Sequence, residues 1–300
     1  MTPRQKRKFK EGLTGYLFIM PNVLGFAIFT FLPVFASMLM SFTAWNGMGG
    51  VAAIQFNGLG NFKDLIHDEL FWKFLWNTLY LMFSLPVSMA GSLILALALN
   101  QKIKGVTFFR TVYFLPSITA GIALFMMWKW IYNPDYGLLN DLLRSWFKVE
   151  GPAWLSDMSW VKPALIICLT WIGIGGTNMI LYIAGLQNIP RDFYEAASID
   201  GANSWQRFWA ITWPMLTPTT FFIFIMGLIG GFQGYFDLVY IMTGGGPAGA
   251  STPIAYYIWQ TAFQNFKIGY AAAQAWALFV IIFGITLINW RYSGSRVQYF

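Results

Sequence analysis

Few side chains in this sequence can do chemistry, and their placement says what kind. There is one histidine, His67, in a hydrophilic stretch beside Asp68 and Glu69, and one cysteine, Cys168, inside the apolar run Leu165–Leu169. A lone histidine builds none of the common metal sites, and the chain has no H-E-x-x-H, G-x-S-x-G or G-x-x-x-x-G-K-[ST] motif. Intramembrane hydrolysis, metal chemistry and nucleotide binding through a phosphate loop thus have no residues to carry them. His67 reads as a solvated loop residue. Cys168 reads as a small packing residue that fixes no redox compartment. What remains are polar groups in apolar surroundings: Thr177, Asn178 and Tyr182 in one stretch, Gln233, Tyr235 and Asp237 in another. Polar and ionisable groups in such places are costly and mark function, although Asp237 stands near a stretch end where water can solvate it. Hydrogen-bonding recognition, not bond cleavage, is the chemistry on offer.

The elements that hold these groups follow from charge distribution. The 300 residues are 57% hydrophobic, 19% aromatic and only 10% charged, against roughly a quarter charged in soluble domains. Six stretches carry no Asp, Glu, Lys or Arg: 12–62, 74–101, 111–128, 163–190, 208–236 and 268–290. A hydrocarbon core about 30 Å thick needs about 20 helical residues. Each stretch therefore supplies a transmembrane helix, expected near 13–42, 74–99, 111–131, 161–186, 213–241 and 270–290. The first apolar stretch is too long for a secretory signal and is expected to stay as a helix. The expectation is an all-α integral membrane protein, one transmembrane domain over 1–300.

Short loops rich in Lys and Arg mark the cytoplasm. The amino-terminal segment holds Arg4, Lys6, Arg7, Lys8 and Lys10 against Glu11; the connection between spans two and three holds Lys102, Lys104 and Arg110; the tail adds Arg291 and Arg296. Six spans put all three on one side, so both termini are expected inside. The net charge of +7 reflects that bias, and no basic groove with interleaved aromatics suggests nucleic acid. Trp45, Trp72, Trp76, Trp128, Trp130, Trp160, Trp213 and Trp290 sit near span ends, where their rings suit the headgroup level. In span five, Gly227, Gly230, Gly231 and Gly234 recur on one helical face; such residues let helices approach closely or leave room for a ligand.

The fourth connection, 187–212, is long, mixed in charge and helix-forming. Pro190 and Asp192 suit a helix start, 193–199 makes two turns, and Gly201 permits a left-handed stop. A second short helix is expected over 203–211, leading to Pro214 at the start of span five. The loop is thus a short helix parallel to the membrane, with Ala196 and Ala197 offering little bulk and Glu195 one charge. Glu195-Ala196-Ala197, then Gly201, Ile211 and Trp213-Pro214, resembles the Glu-Ala-Ala loop of permeases in binding-protein-dependent ABC importers; Trp213 stands where the pattern has Leu. Elsewhere Leu13-Thr14-Gly15-Tyr16-Leu17, Phe108-Phe109-Arg110-Thr111, the run from Trp130 to Asn140, and Thr243-Gly244-Gly245-Gly246-Pro247 are similar to the carbohydrate-uptake branch of that family.

The resemblance implies a type I importer fold with a cytoplasmic coupling helix. It implies that Glu195, Ala196, Ala197, Asp200 and Gly201 dock on a cytoplasmic ATPase. Partners would be a second homologous permease, two ATPase subunits carrying ATP-Mg, an extracytoplasmic solute-binding protein and membrane lipid; this chain itself would bind no cofactor. The implied site is the multi-pass cytoplasmic (inner) membrane of a bacterium or archaeon. Sugar contacts would come from spans four and five, with Asn178 and Gln233 foremost, then Thr177, Tyr182, Tyr235 and Asp237. The branch also includes carriers of glycerol phosphate and polyols. A channel or secondary transporter is the rival class; internal repeats and interrupted helices, frequent there, are not evident in the sequence.

Overall fold

The computed structural model describes residues 3–48, 50–101 and 104–293. Lys102 and Arg296 lie outside the described residues, as do the side chains of Lys6, Arg7, Lys8, Glu11 and Trp290. Among the described residues the structure is helical, and its one extended pairing is an antiparallel bridge of Thr43 with Phe56. In chain order, α1 (Pro3–Phe26) and α2 (Leu32–Met40) join through a π turn at Ala27–Phe31 and carry an unbroken apolar length, Thr14–Met40. A short α3 (Gly60–Ile66) follows. Then α4 (Glu69–Leu81) and α5 (Ser84–Leu99) make a second apolar length, Glu69–Leu99.

The third and fourth apolar stretches are not straight helices. One is α6 (Val106–Ile118) and α7 (Gly121–Ile131), bent by 96°. Thr119 and Ala120 between them are extended, with ψ of 140° and 124°, and Pro116 in the last turn of α6 withholds a backbone donor. After α8 (Leu138–Leu142) and its π turn, the other is α9 (Val161–Gly173) and α10 (Gly176–Gln187), bent by 46°. Gly175 at φ 96°, ψ −135° sits where essentially only glycine is tolerated. Interrupted helices are therefore present, contrary to the reading of the sequence. The signals were Pro116 and the Gly173–Gly176 cluster, which a count of charges passes over.

Next come α11 (Arg191–Ile199), α12 (Ser204–Arg207) and α13 (Trp213–Met242). The second loop helix is not separate as expected: α12, a π turn at Phe208–Thr212 and α13 form one helical run, Ser204–Met242. Its 39 residues would be about 58 Å long at helical rise, nearly twice a hydrocarbon core. After α14 (Ile254–Trp259), α15 (Ile268–Ser293) contains the last apolar length, Ile268–Asn289. Among the described residues, four lengths are thus unbroken and two are bent pairs.

The chain divides into two compact units: Met1–Asp68 with Ile258–Leu278, and Glu69–Tyr257 with Phe279–Phe300. In the first, Asn61 is the fastening point. Its amide donates to the Ser41 and Thr43 carbonyls at 2.9 and 2.8 Å. Tyr270 donates to Asp68 at 2.7 Å, and the Trp276 indole to Ser37 at 3.2 Å. The core of the second unit holds Met89, Leu93 and Ala96 of α5, Met179, Tyr182, Ile183 and Leu186 of α10, and Leu216 and Ile223 of α13.

Small residues let α5 lie against the break in α9–α10. A Cβ on Gly173 would stand 2.8 Å from that of Ser88, and one on Gly91 would stand 2.7 Å from Ile174. The break frees backbone groups that need partners in an apolar setting. Buried Ser92 supplies both, donating to the Gly173 carbonyl at 3.1 Å and accepting from the Gly175 N–H at 3.0 Å.

Candidate functional site

Helix α11 begins after Pro190 and ends in a complete left-handed closure. Gly201 is at φ 77°, its N–H donates to the Ser198 carbonyl, and the Ala202 N–H donates to that of Ala197 at 2.9 Å. This double bond pattern satisfies carbonyls that a helix end leaves open. Asn203 then caps α12 reciprocally with Gln206: each side chain accepts from the other's backbone N–H, at 2.9 and 2.8 Å. A Cβ at Gly201 would meet nothing within 4 Å, so only its dihedral requires glycine there.

The loop presents one bare face. Glu195, Ala196, Asp200 and Gly201 are exposed and Ala197 half-buried. Sequence reasoning missed two residues: Ile199 is 87% exposed and Phe193 47%, and spacings of three from Ala196 set both beside it. Apolar side chains so exposed next to the acidic group were the available signal. On the opposite side Tyr194 packs toward the core with Phe208, Ile211 and Trp213.

The polar groups of the spans separate by burial. The α9–α10 break sets Thr177 and Asn178 in the first turn of α10, exposed and half-exposed. On α13, Phe222, Met226, Gly230, Gln233, Gly234, Asp237 and Tyr240 form one exposed stripe, recurring at helical spacing. Tyr182 and Tyr235 do not join these groups. Tyr182 is 1% exposed within the core, and Tyr235, 8% exposed, folds back over Gly231.

The glycines of α13 likewise divide instead of sharing one role. Gly227 and Gly231 admit Leu85 and Met82, whereas a Cβ at Gly230 or Gly234 would meet nothing within 4 Å. Gly185 of α10 approaches Leu216 and Thr219 of α13. Counting back seven residues along α10 and on seven along α13 from that contact sets Asn178 level with the turn 223–226, and Gln233 stands about 10–15 Å further along the helix. The two foremost polar candidates therefore form two tiers.

At the far ends of these helices, buried amides fasten the loops. Asn140 donates to the Pro134 and Pro152 carbonyls at 3.1 and 3.4 Å and accepts from the Trp154 indole at 2.6 Å. Asn77 donates to the Gly249 and Thr252 carbonyls, both at 3.0 Å. Trp128 is buried, tilted against Tyr132 and edge-on to Trp171, so an anchoring role does not fit it; Trp72, Trp76, Trp130 and Trp160 are exposed as such a role requires.

The short helix α11 thus lies between a bent apolar pair, α9–α10, and the unbroken run that contains α13, in a chain whose helices are long and apolar enough to cross a membrane. The family model for the binding-protein-dependent transport system inner membrane component matches residues 88–292. The chain belongs to that family. It is 38% identical over 97% of its length, and 93% of the relative's, to the probable ABC transporter permease protein YesP of Bacillus subtilis (strain 168). It is 34% identical to the lactose transport system permease protein LacF of Rhizobium radiobacter, over 98% of this chain and 99% of that one. In fold it is similar to a chain in the crystal structure of a bacterial ABC transporter involved in the import of the acidic polysaccharide alginate. That match has a TM-score of 0.85 at 23% identity, covering 98% of this chain and all of that one.

Proposed function

We propose that this chain is a permease subunit of an ATP-driven importer that takes up a carbohydrate delivered by an extracytoplasmic binding protein. The observation that carries the reading is α11: a helix between two apolar spans, closed by left-handed Gly201, with Glu195, Ala196 and Ile199 bare on its outer face. Relatives named for lactose and for multiple sugars support the substrate class. Relatives named for sn-glycerol-3-phosphate keep that ester as the second reading.

In this mechanism each bent pair counts as one span, giving six, with both termini and α11 in the cytoplasm. The membrane is the inner membrane of a bacterium or archaeon. Two ATPase subunits hold ATP-Mg, and this chain binds no cofactor. Their closure on ATP moves α11 and its counterpart on a second, homologous permease, and the pair opens outward. Hydrolysis reopens the inner side. The docking face is Glu195, Ala196, Ala197, Asp200 and Gly201, joined by Phe193 and Ile199. Sugar passes along the exposed stripe of α13, meeting Gln233 and Asp237 in the outer tier and Thr177 and Asn178 in the inner one. Tyr182 and Tyr235 act behind that surface by holding α10 and α13 in place.

The deciding measurement is ATPase activity of the reconstituted complex with its binding protein, screened against lactose, alginate oligosaccharides and glycerol 3-phosphate. Stimulation by a sugar is expected; stimulation by glycerol 3-phosphate alone transfers the assignment to the second reading. An Ile199→Asp variant should lose the ATPase subunits on purification, because a carboxylate would replace an apolar contact. Its normal assembly would mean that α11 is not the docking element.

A further inference from the structure

The outer face of α11 meets a partner, but its inner face carries a contact that docking does not need. Tyr194 and Thr212 share a hydrogen bond of 2.8 Å between their hydroxyl oxygens. Thr212 is buried and is the last residue of the π turn that leads into α13. The Tyr194 ring packs with Phe208, Ile211 and Trp213 against the α5–α10–α13 core. A second, exposed tie runs alongside: Arg207 donates to the Ser198 hydroxyl at 3.0 Å and to that of Ser204 at 3.3 Å, while Ser198 donates to the Tyr194 carbonyl. The turn between Asp200 and Asn203 is also hydrogen-bonded, at Gly201 and through the Asn203–Gln206 cap, but those cap bonds are open to water.

A helix pushed by a partner passes its motion on only through contacts stiffer than the connecting turn. We propose that the Tyr194–Thr212 contact is the joint through which displacement of α11 reaches α13, and so the exposed stripe bearing Gln233. Tyr194 and Thr212 are positioning residues: they touch neither sugar nor nucleotide. The setting suits this role: Thr212 is buried and Tyr194 half-buried, and a hydrogen bond partly shielded from water is stronger and less readily exchanged. Because α13 continues to Met242 as one helix, with Pro218 inside it, motion at Thr212 reaches Gln233 along a single element, about 31 Å away at helical rise. The inference rests on the coupling reading of α11.

The test needs no knowledge of the sugar. In a Cys168→Ser background, Gln233→Cys is labelled with a membrane-impermeant maleimide in the reconstituted complex, with and without Mg-ATP and vanadate. The parent should show an ATP-dependent change in labelling rate. Tyr194→Phe keeps the ring and removes the hydroxyl, and Thr212→Val keeps the shape. Each should shrink that change about two- to tenfold, the range set by one hydrogen bond, while the ATPase subunits still co-purify. The double variant should be no worse than either single one, and Thr212→Ser should restore the response. A full response in both single variants, additive losses, or loss of the ATPase subunits from Tyr194→Phe would each overturn the joint. No ATP-dependent change in the parent would overturn the coupling reading itself, and the joint with it.

Discussion

The loop carrying α11 and the loops at the opposite ends of the spans use the same residue types to opposite effect. At the far ends glycine makes room: a Cβ on Gly137 or Gly151 would collide with backbone or with Asn140, and one on Gly249 would press on Phe74 at 3.1 Å. In the α11 loop Gly201 makes no room at all and serves only its positive φ. The far loops are fastened by the buried amides of Asn77 and Asn140; the α11 loop is tied on one side and bare on the other. One set of loops is built to keep its shape. The other leaves Phe193, Glu195, Ala196 and Ile199 open.

The sharpest way to break this comparison is to ask whether the two kinds of loop lie on opposite sides of the membrane. With Cys168 replaced, a cysteine at Lys148 should react with impermeant reagent only from outside, and one at Ile199 only from inside. Labelling of both from one side would end the proposed topology.

Next in size is the role of Gly201. A β-branched side chain in the left-handed region carries a penalty of about 1–2 kcal/mol, and no neighbour offers compensating contact. Gly201→Val should abolish ATPase stimulation by the loaded binding protein or detach the ATPase subunits, whereas Gly201→Asn, tolerated in that region, should keep most of it. Equal behaviour of the two variants would show that the dihedral is not what matters. Glu195→Lys should weaken attachment as well, by reversing the charge offered to a basic partner.

On the opposite side the expected loss is of stability, not coupling. Asn140→Ala strands the buried Trp154 indole N–H, at a cost of about 1–3 kcal/mol. Thermal unfolding of the purified complex should shift down while the ATPase subunits remain bound. A variant as stable as its parent would remove the contrast between fastened and open loops.

Smallest of all should be the changes along the path. Asn178→Ala and Gln233→Ala each remove one hydrogen-bonding group from an exposed tier, so transport should fall about two- to tenfold with assembly intact. Parental uptake by both variants, for every sugar that stimulates the complex, would place the substrate path elsewhere.

Much of this architecture was legible in the chain because burial in lipid is a compositional demand. A stretch with no charge over more than 20 residues has to span or be buried, and 12–62, 74–101 and 208–236 do contain unbroken apolar helical lengths. Local backbone chemistry was equally readable: Gly201 is left-handed and Asn203 caps the next helix, because both depend on residues within one turn. Uncharged length did not reveal the two bends, since hydropathy is blind to dihedral angles. Nor could it divide Gly227 and Gly231 from Gly230 and Gly234. Those four share a face on an isolated helix, and only the approach of Met82 and Leu85 decides which pair is filled.

By itself, then, the sequence determined the membrane-embedded class, the apolar lengths and the closure of α11, all of which follow from composition or from neighbours within a few residues. Tertiary structure alone decided that Tyr182 and Tyr235 turn inward while Gln233 and Asp237 stay exposed, that Ser92 satisfies the broken helix, and that Tyr194 meets Thr212. Each of these depends on which helix lies alongside, a fact set by the shapes of several distant segments at once and encoded in no single one of them.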